Sequence, residues 1–80
     1  MIVSVNYRSP ATGQFRGRVY SYLCDIPDIK PGDIVIAPTS SGDNEAVIVE
    51  TNIPMSRVDD RIIPLLKTIT KRKDEQPHAE

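Results

Sequence analysis

The tetrapeptide Lys30-Pro31-Gly32-Asp33, running directly into Ile34-Val35-Ile36, is the strongest local constraint in the chain. Proline at the second position presets φ and glycine at the third supplies φ > 0, which are the requirements of a type II turn. The three β-branched residues that follow suit a pleated, packed surface better than a helix. Pro38 has no backbone donor, so a strand is predicted over 33–37 with the ladder ending at the proline. Ser40-Ser41-Gly42-Asp43-Asn44 then reads as a polar turn into a second strand over 45–51, and the two strands as a hairpin.

Short apolar runs between breakers continue along the whole chain, whose seven prolines and four glycines leave no room for a sustained 3.6-residue period. Val3, Val5 and Tyr7 alternate with Ser4, Asn6 and Arg8, predicting a strand over 2–8. Pro10 and Gly13 mark a loop that closes a hairpin onto a strand over 15–23. That strand sets Phe15, Gly17, Val19, Ser21 and Leu23 on one face and Arg16, Arg18, Tyr20 and Tyr22 on the other, unless Gly17 marks a bulge. Ile26 and Ile29 are expected to plug the end of the sheet, and Ser56-Arg57-Val58-Asp59-Asp60 to form one helical turn capped by Ser56. Pro64 forbids a regular helix beyond it, which leaves a strand over about 65–71. The expected fold is mostly β, a small five-stranded antiparallel barrel or half-barrel of SH3-like or OB-like type, occupying residues 1–71. Residues 72–80 are polar with no apolar anchor and are expected to form a disordered tail. A single domain of 80 residues has one small core, and with no tryptophan its volume comes mainly from isoleucine and valine.

The chemistry-bearing residues are sparse. One cysteine, Cys24, forms no internal disulfide and is expected to be a small buried apolar side chain, since the single histidine, His78, lies in the polar tail. Asp25 and Asp28 lack the further oxygens that calcium needs. Ser40-Ser41-Gly42-Asp43 lacks the lysine and following helix of a phosphate loop. The sequence offers no nucleophile triad, metal cluster or cofactor loop, so a non-enzymatic binding module without cofactor is expected. No apolar run is long enough to span a membrane, and the first residues lack the basic flank of a signal peptide, so the expected location is the cytoplasm.

The net charge of −1 conceals segregation along the chain. Residues 1–23 carry +3, residues 24–60 carry −6, residues 61–73 carry +5 and the remaining tail −3. Two candidate surfaces follow. Arg8, Arg16, Arg18, Tyr20 and Tyr22, joined by Lys67, Lys71 and Arg72 from the other basic segment, combine cations for phosphates with rings for stacking, the recipe of a single-strand nucleic-acid binder. Asp25, Asp28, Asp33, Asp43 and Glu45 form an acidic middle suited to a basic protein partner. The alternatives are ordinary ones: tyrosines packed in the core and charges that keep edge strands soluble.

The pattern Tyr20-x-Tyr22, then Pro31-Gly32-Asp33-x-Val35-x-x-Pro38-Thr39, then Ala46-Val47-x-Val49, resembles a set of small uncharacterised phage and prophage proteins. More distantly, it is similar to the N-terminal DNA 3′-end-binding domain of the primosomal replication-restart helicase. The resemblance covers residues 15–50 and implies a small β-barrel-like module in a phage or replication setting. No phosphate-binding loop is present, so it implies no ATPase activity. Two functions are therefore expected of the chain. It is an adaptor that engages a protein partner through an exposed sheet edge or the acidic middle, or it binds single-stranded nucleic acid through the Arg/Tyr strand. The near-neutral charge favours the adaptor, and the sequence leaves monomer and homodimer open, with edge strands expected at 2–8 and 65–71.

Overall fold

The structure is a computed structural model that describes residues 1–9 and 11–73. Four long strands build it: β1 (Ile2–Arg8), β2 (Phe15–Cys24), β3 (Ile34–Thr39) and β4 (Gly42–Ile53). Two short ones, β5 (Thr68–Ile69) and β6 (Lys71–Arg72), complete a single sheet of order β5-β2-β1-β4-β3-β6. The expectation of five antiparallel strands is thus corrected to six in a mixed sheet, because β5 pairs parallel to β2. The predicted strand over 65–71 is replaced by a 3-10 turn at Ile63–Leu65 followed by these two fragments. β1 is also not an edge strand, since β2 flanks it on one side and β4 on the other.

β5 and β6 lie at opposite ends of the sheet although only Thr70 separates them in sequence. A flat sheet cannot place consecutive residues at its two extremes, so the sheet must curl until its ends nearly meet. They do not pair with each other, and the sheet is not closed. The concave side gathers the core: Val3 and Val5 from β1, Tyr22 and Cys24 from β2, Val35 and Ala37 from β3, Ala46 and Ile48 from β4, and Ile69 from β5. Ile26 and Ile29 cover one end, as their spacing predicts, and Cys24 is buried and free.

The turn before β3 forms as read. Asp33 N–H donates to the Lys30 carbonyl at 3.1 Å and Gly32 has φ of 96°. The turn is then tied to β4, because Gly32 N–H donates to the Ile48 carbonyl and Ile48 N–H to the Asp33 carbonyl, both at 2.9 Å. β3 does not stop at Pro38; it continues to Thr39, paired with Gly42. Asp33 and Ile48 bond directly, so alternate residues 35, 37 and 39 also face β4, whereas Pro38 turns its nitrogen to the side where β3 has no neighbour. A proline is tolerated there because the ladder needs no donor from it. Gly17, with φ of 101°, accompanies the irregularity where β1 and β2 step from the Asn6–Val19 pair to the Arg8–Phe15 pair. The Asn6 amide spans this bulge by donating to the carbonyls of Gly17 and Arg18 at 3.2 and 3.0 Å. The helical turn expected at 56–60 is instead a 3-10 turn at Met55–Arg57, following Pro54 and without a side-chain cap.

β6 is fastened to β3 by more than its two paired residues. Lys73 N–H donates to the Ile34 carbonyl at 2.9 Å, Arg72 bonds Asp28 at 2.7 Å, and the Lys73 ammonium lies 3.2 Å from Glu45, which also takes Arg8 at 2.7 Å. Residues 72 and 73, placed in the tail by composition, therefore belong to the folded unit; the remainder of the expected tail, 74–80, lies outside the described residues. Hydrogen bonding to Arg72 holds the Asp28 carboxyl below the usual range, and hydrogen bonds from Arg8 and Lys73 do the same for Glu45. Depressed carboxyl values stabilise the fold above the unfolded-state value near pH ~4, and that contribution is lost as pH falls through the lower folded-state values. The urea midpoint should accordingly stay level from about pH 7 to about pH 5 and drop toward pH ~3. A midpoint that stays level down to pH ~3 would contradict the role given to these pairs.

Candidate functional site

The even-numbered face of β2 divides along its length. Tyr22, near the end covered by β5, turns into the core, Tyr20 is partly exposed and Arg18 is exposed. Tyr22 spans the opening between the sheet's ends: its hydroxyl donates to the Pro38 carbonyl at 2.8 Å. That carbonyl belongs to the side of β3 that has no strand partner at this height, so the phenol supplies the hydrogen bond that a closing strand would have made. With its one proton committed to Pro38, the Tyr22 hydroxyl accepts from the Tyr7 hydroxyl, to which it is hydrogen-bonded. Burial pushes the Tyr22 hydroxyl well above the ordinary phenol range, so it stays protonated. The Tyr7 ring stands edge-on to Tyr22, with centroids 6.4 Å apart, and stacks on Tyr20 at 4.6 Å with an interplanar angle of 22°. Tyr20 is thereby backed by two locked rings.

Outside this trio lies a groove of about 630 Å3 between β2, the Pro38–Ser40 end of the β3–β4 hairpin and the segment that crosses the opening. The Ile63–Leu65 turn forms there because Pro64 fits the start of a 3-10 helix, and Leu65 and Leu66 N–H close back onto the Ile62 and Ile63 carbonyls. This brings Ile62 and Leu65 to the groove while leaving them open to solvent, Leu65 at 74% of its surface. Val19 also borders the groove, but it pairs with Asn6 and sets its side chain on the opposite face of β2 from Tyr20, where it is 53% exposed. Exposed aliphatic side chains are ordinary singly, but Ile62 and Leu65 lining one concavity with Tyr20 form an interaction patch.

The charge around the groove is equally uneven. Arg18, Lys67 and Lys71 form no ion pair among the described residues, and the first two line the groove. The other candidate cations are engaged: Arg8 with Glu45, and Arg72 with Asp28 and, at 3.9 Å, Asp33. Arg16 lies in β2 beside the Gly17 bulge. In the acidic set, Asp28, Asp33 and Glu45 are all paired within the fold, while Asp25 and Asp43 are exposed without an ion pair among the described residues. The structure therefore brings together Arg18, Tyr20, Tyr22 and Lys67 from the first candidate surface, and Arg8, Lys71 and Arg72 stand outside the groove lining. Tyr7, Val19, Ile62 and Leu65 were not singled out as site residues. Their apolar character was legible, but their meeting depends on the curl of the sheet.

β2 also presents an unpaired edge to this groove. Met1 and Cys24 exchange backbone hydrogen bonds, at 2.8 and 3.1 Å, so Tyr22 and Tyr20, paired with Val3 and Val5, face β1 in the same way. The odd residues face away: Leu23 N–H donates to the Lys67 carbonyl and Asp25 N–H to the Ile69 carbonyl. β5 pairs only with Leu23 and Cys24, which leaves the backbone groups of Ser21 and Val19 on that side without a strand partner. Among the described residues, no group of three His, Cys, Asp or Glu is placed to hold a metal ion, and no helix is long and apolar enough to cross a membrane. The chain matches no family model, no curated protein and no solved structure.

Proposed function

We propose that the protein is a small non-enzymatic binding module, an open barrel of SH3-like or OB-like type, that engages a protein partner in the groove beside β2. The observation that carries this reading is the gathering of Ile62 and Leu65, exposed and aliphatic, with Tyr20 around one concavity whose rim cations, Arg18 and Lys67, have no ion-pair partner among the described residues. Aliphatic side chains at this exposure gain most from a partner that brings apolar side chains of its own. The acidic middle is a weaker candidate surface, because three of its five carboxylates already have cationic partners in the fold. A phage or replication setting is the context that the sequence resemblance suggests; a cytoplasmic location is a separate proposal, which the free cysteine Cys24 supports.

Selection of displayed random linear peptides against the wild-type protein and against Leu65→Asp tests the reading. Peptides that bind the first and lose at least about tenfold on the second support it. No enrichment, or binding indifferent to Leu65, would contradict it. One observation favours a second reading: Tyr20, stacked on Tyr7 and flanked by Arg18 and Lys67, is also suited to a nucleobase and its phosphates. Binding of a short oligothymidylate that falls steeply with salt and is lost in Tyr20→Ala would favour single-stranded nucleic acid over a protein.

A further inference from the structure

We propose that β2 takes up an extended, acidic peptide segment of the partner as an additional strand along its open edge at Val19 and Ser21. This rests on the groove being a protein-binding site and specifies how the partner is held. Residues 19 and 21 offer two N–H and two C=O groups on the side that β5 leaves uncovered. Alternate residues of a strand repeat every ~6.8 Å, and an incoming extended chain repeats its own donors and acceptors at the same spacing. A nucleic-acid strand has no such repeat of paired donors and acceptors. The Gly17 bulge marks one limit of the regular edge and β5 the other, so the site takes a short segment.

Charge and side chains select the occupant. Arg18 and Lys67 lie along the groove without carboxylate partners among the described residues, so acidic residues on the incoming strand gain a favourable pairing. The neighbouring side chains on the same face of the incoming strand would meet Tyr20 and Leu65, which favours apolar residues beside the acidic ones. A second copy of this chain is a poorer occupant, because β2 carries Arg16 and Arg18 and no acid, so two β2 strands would bring only like charges together.

The test uses a labelled, end-capped peptide in which threonine alternates with glutamate and valine in turn, so that glutamate and valine share one face, followed by fluorescence anisotropy with the full chain. Wild type is expected to bind it, and Ser21→Pro to weaken binding about tenfold or more. Proline at 21 removes an outward donor and leaves the β1 ladder intact, so the variant is expected to keep its fold. The double variant Arg18→Glu/Lys67→Glu should lose the glutamate peptide and gain the corresponding lysine-valine peptide. In the wild type, amide exchange at Val19 and Ser21 should slow about tenfold or more on peptide binding, a readout that does not depend on any variant folding. Unchanged exchange at both amides, or equal affinity in Ser21→Pro, would overturn strand addition. If displayed peptides depend on Leu65 while Ser21→Pro is neutral, the groove reading stands and strand addition alone falls. If no peptide binds, both fall.

Discussion

Ile48→Ala is expected to lower the free energy of unfolding by about 2–5 kcal/mol, the range for removing most of a buried aliphatic side chain and leaving a cavity. Ile48 is almost fully buried on β4, and its backbone anchors the turn at Gly32 and Asp33 that starts β3. A loss at this position therefore loosens the core and the hairpin together. Domains of this kind are stable by only ~5–15 kcal/mol, so the upper end of the range would leave a substantial unfolded population. Val49 is the internal control, next along the same strand but 42% exposed, and Val49→Ala should change stability by no more than about 0.5 kcal/mol. Urea denaturation of the two variants checks the pair. Similar losses would mean that the concave side of β4 does not carry the core.

Tyr22→Ala should cost about 3–5 kcal/mol, as for a buried aromatic, because the ring fills the core where the sheet fails to close. Tyr22→Phe separates packing from hydrogen bonding. It keeps the ring but removes the proton that reaches Pro38 and the oxygen that accepts from Tyr7. Leaving those partly buried partners unsatisfied should cost about 1–3 kcal/mol. Tyr7 and Tyr20 also lose the group that orients them, so Tyr22→Phe should weaken groove binding while leaving the core packed. Equal stability of Tyr22→Phe and wild type in urea would contradict the bridging role given to this hydroxyl.

The first four strands and the turn at 30–33 were legible because each is dictated locally. Val3, Val5 and Tyr7 alternate, Pro31-Gly32 can make few other turns, and Ile34-Val35-Ile36 packs only as a strand. The segment after Ile53 was not, and the reason is physical. β5 and β6 pair through two residues each, too few for a pattern, and they are placed by the ends of the curled sheet and by Arg72 and Lys73 finding Asp28 and Glu45. Pro38 shows the same limit on a smaller scale, since whether a proline ends a strand depends on which of its sides has a neighbour.

The candidate site was half legible. Arg18, Tyr20 and Lys67 stood out as residue types, but alternation alone could not say that Tyr22 turns inward while Tyr20 remains accessible. Nor could it pair residues from β2 with Ile62 and Leu65, about forty positions away. The distinction between spent and available charge was likewise hidden. Arg8 and Arg72 look like Arg18 in sequence, yet only the fold supplies them with Glu45 and Asp28.

Amide hydrogen exchange along β2 in the free protein tests the central claim most directly, because a groove with an open strand edge leaves an alternating signature. The account predicts protected amides at Tyr20 and Tyr22, which face β1, and fast exchange at Val19 and Ser21, which face the groove. Protection at all four positions would mean that the edge is already covered, and the site proposed for a partner would not exist.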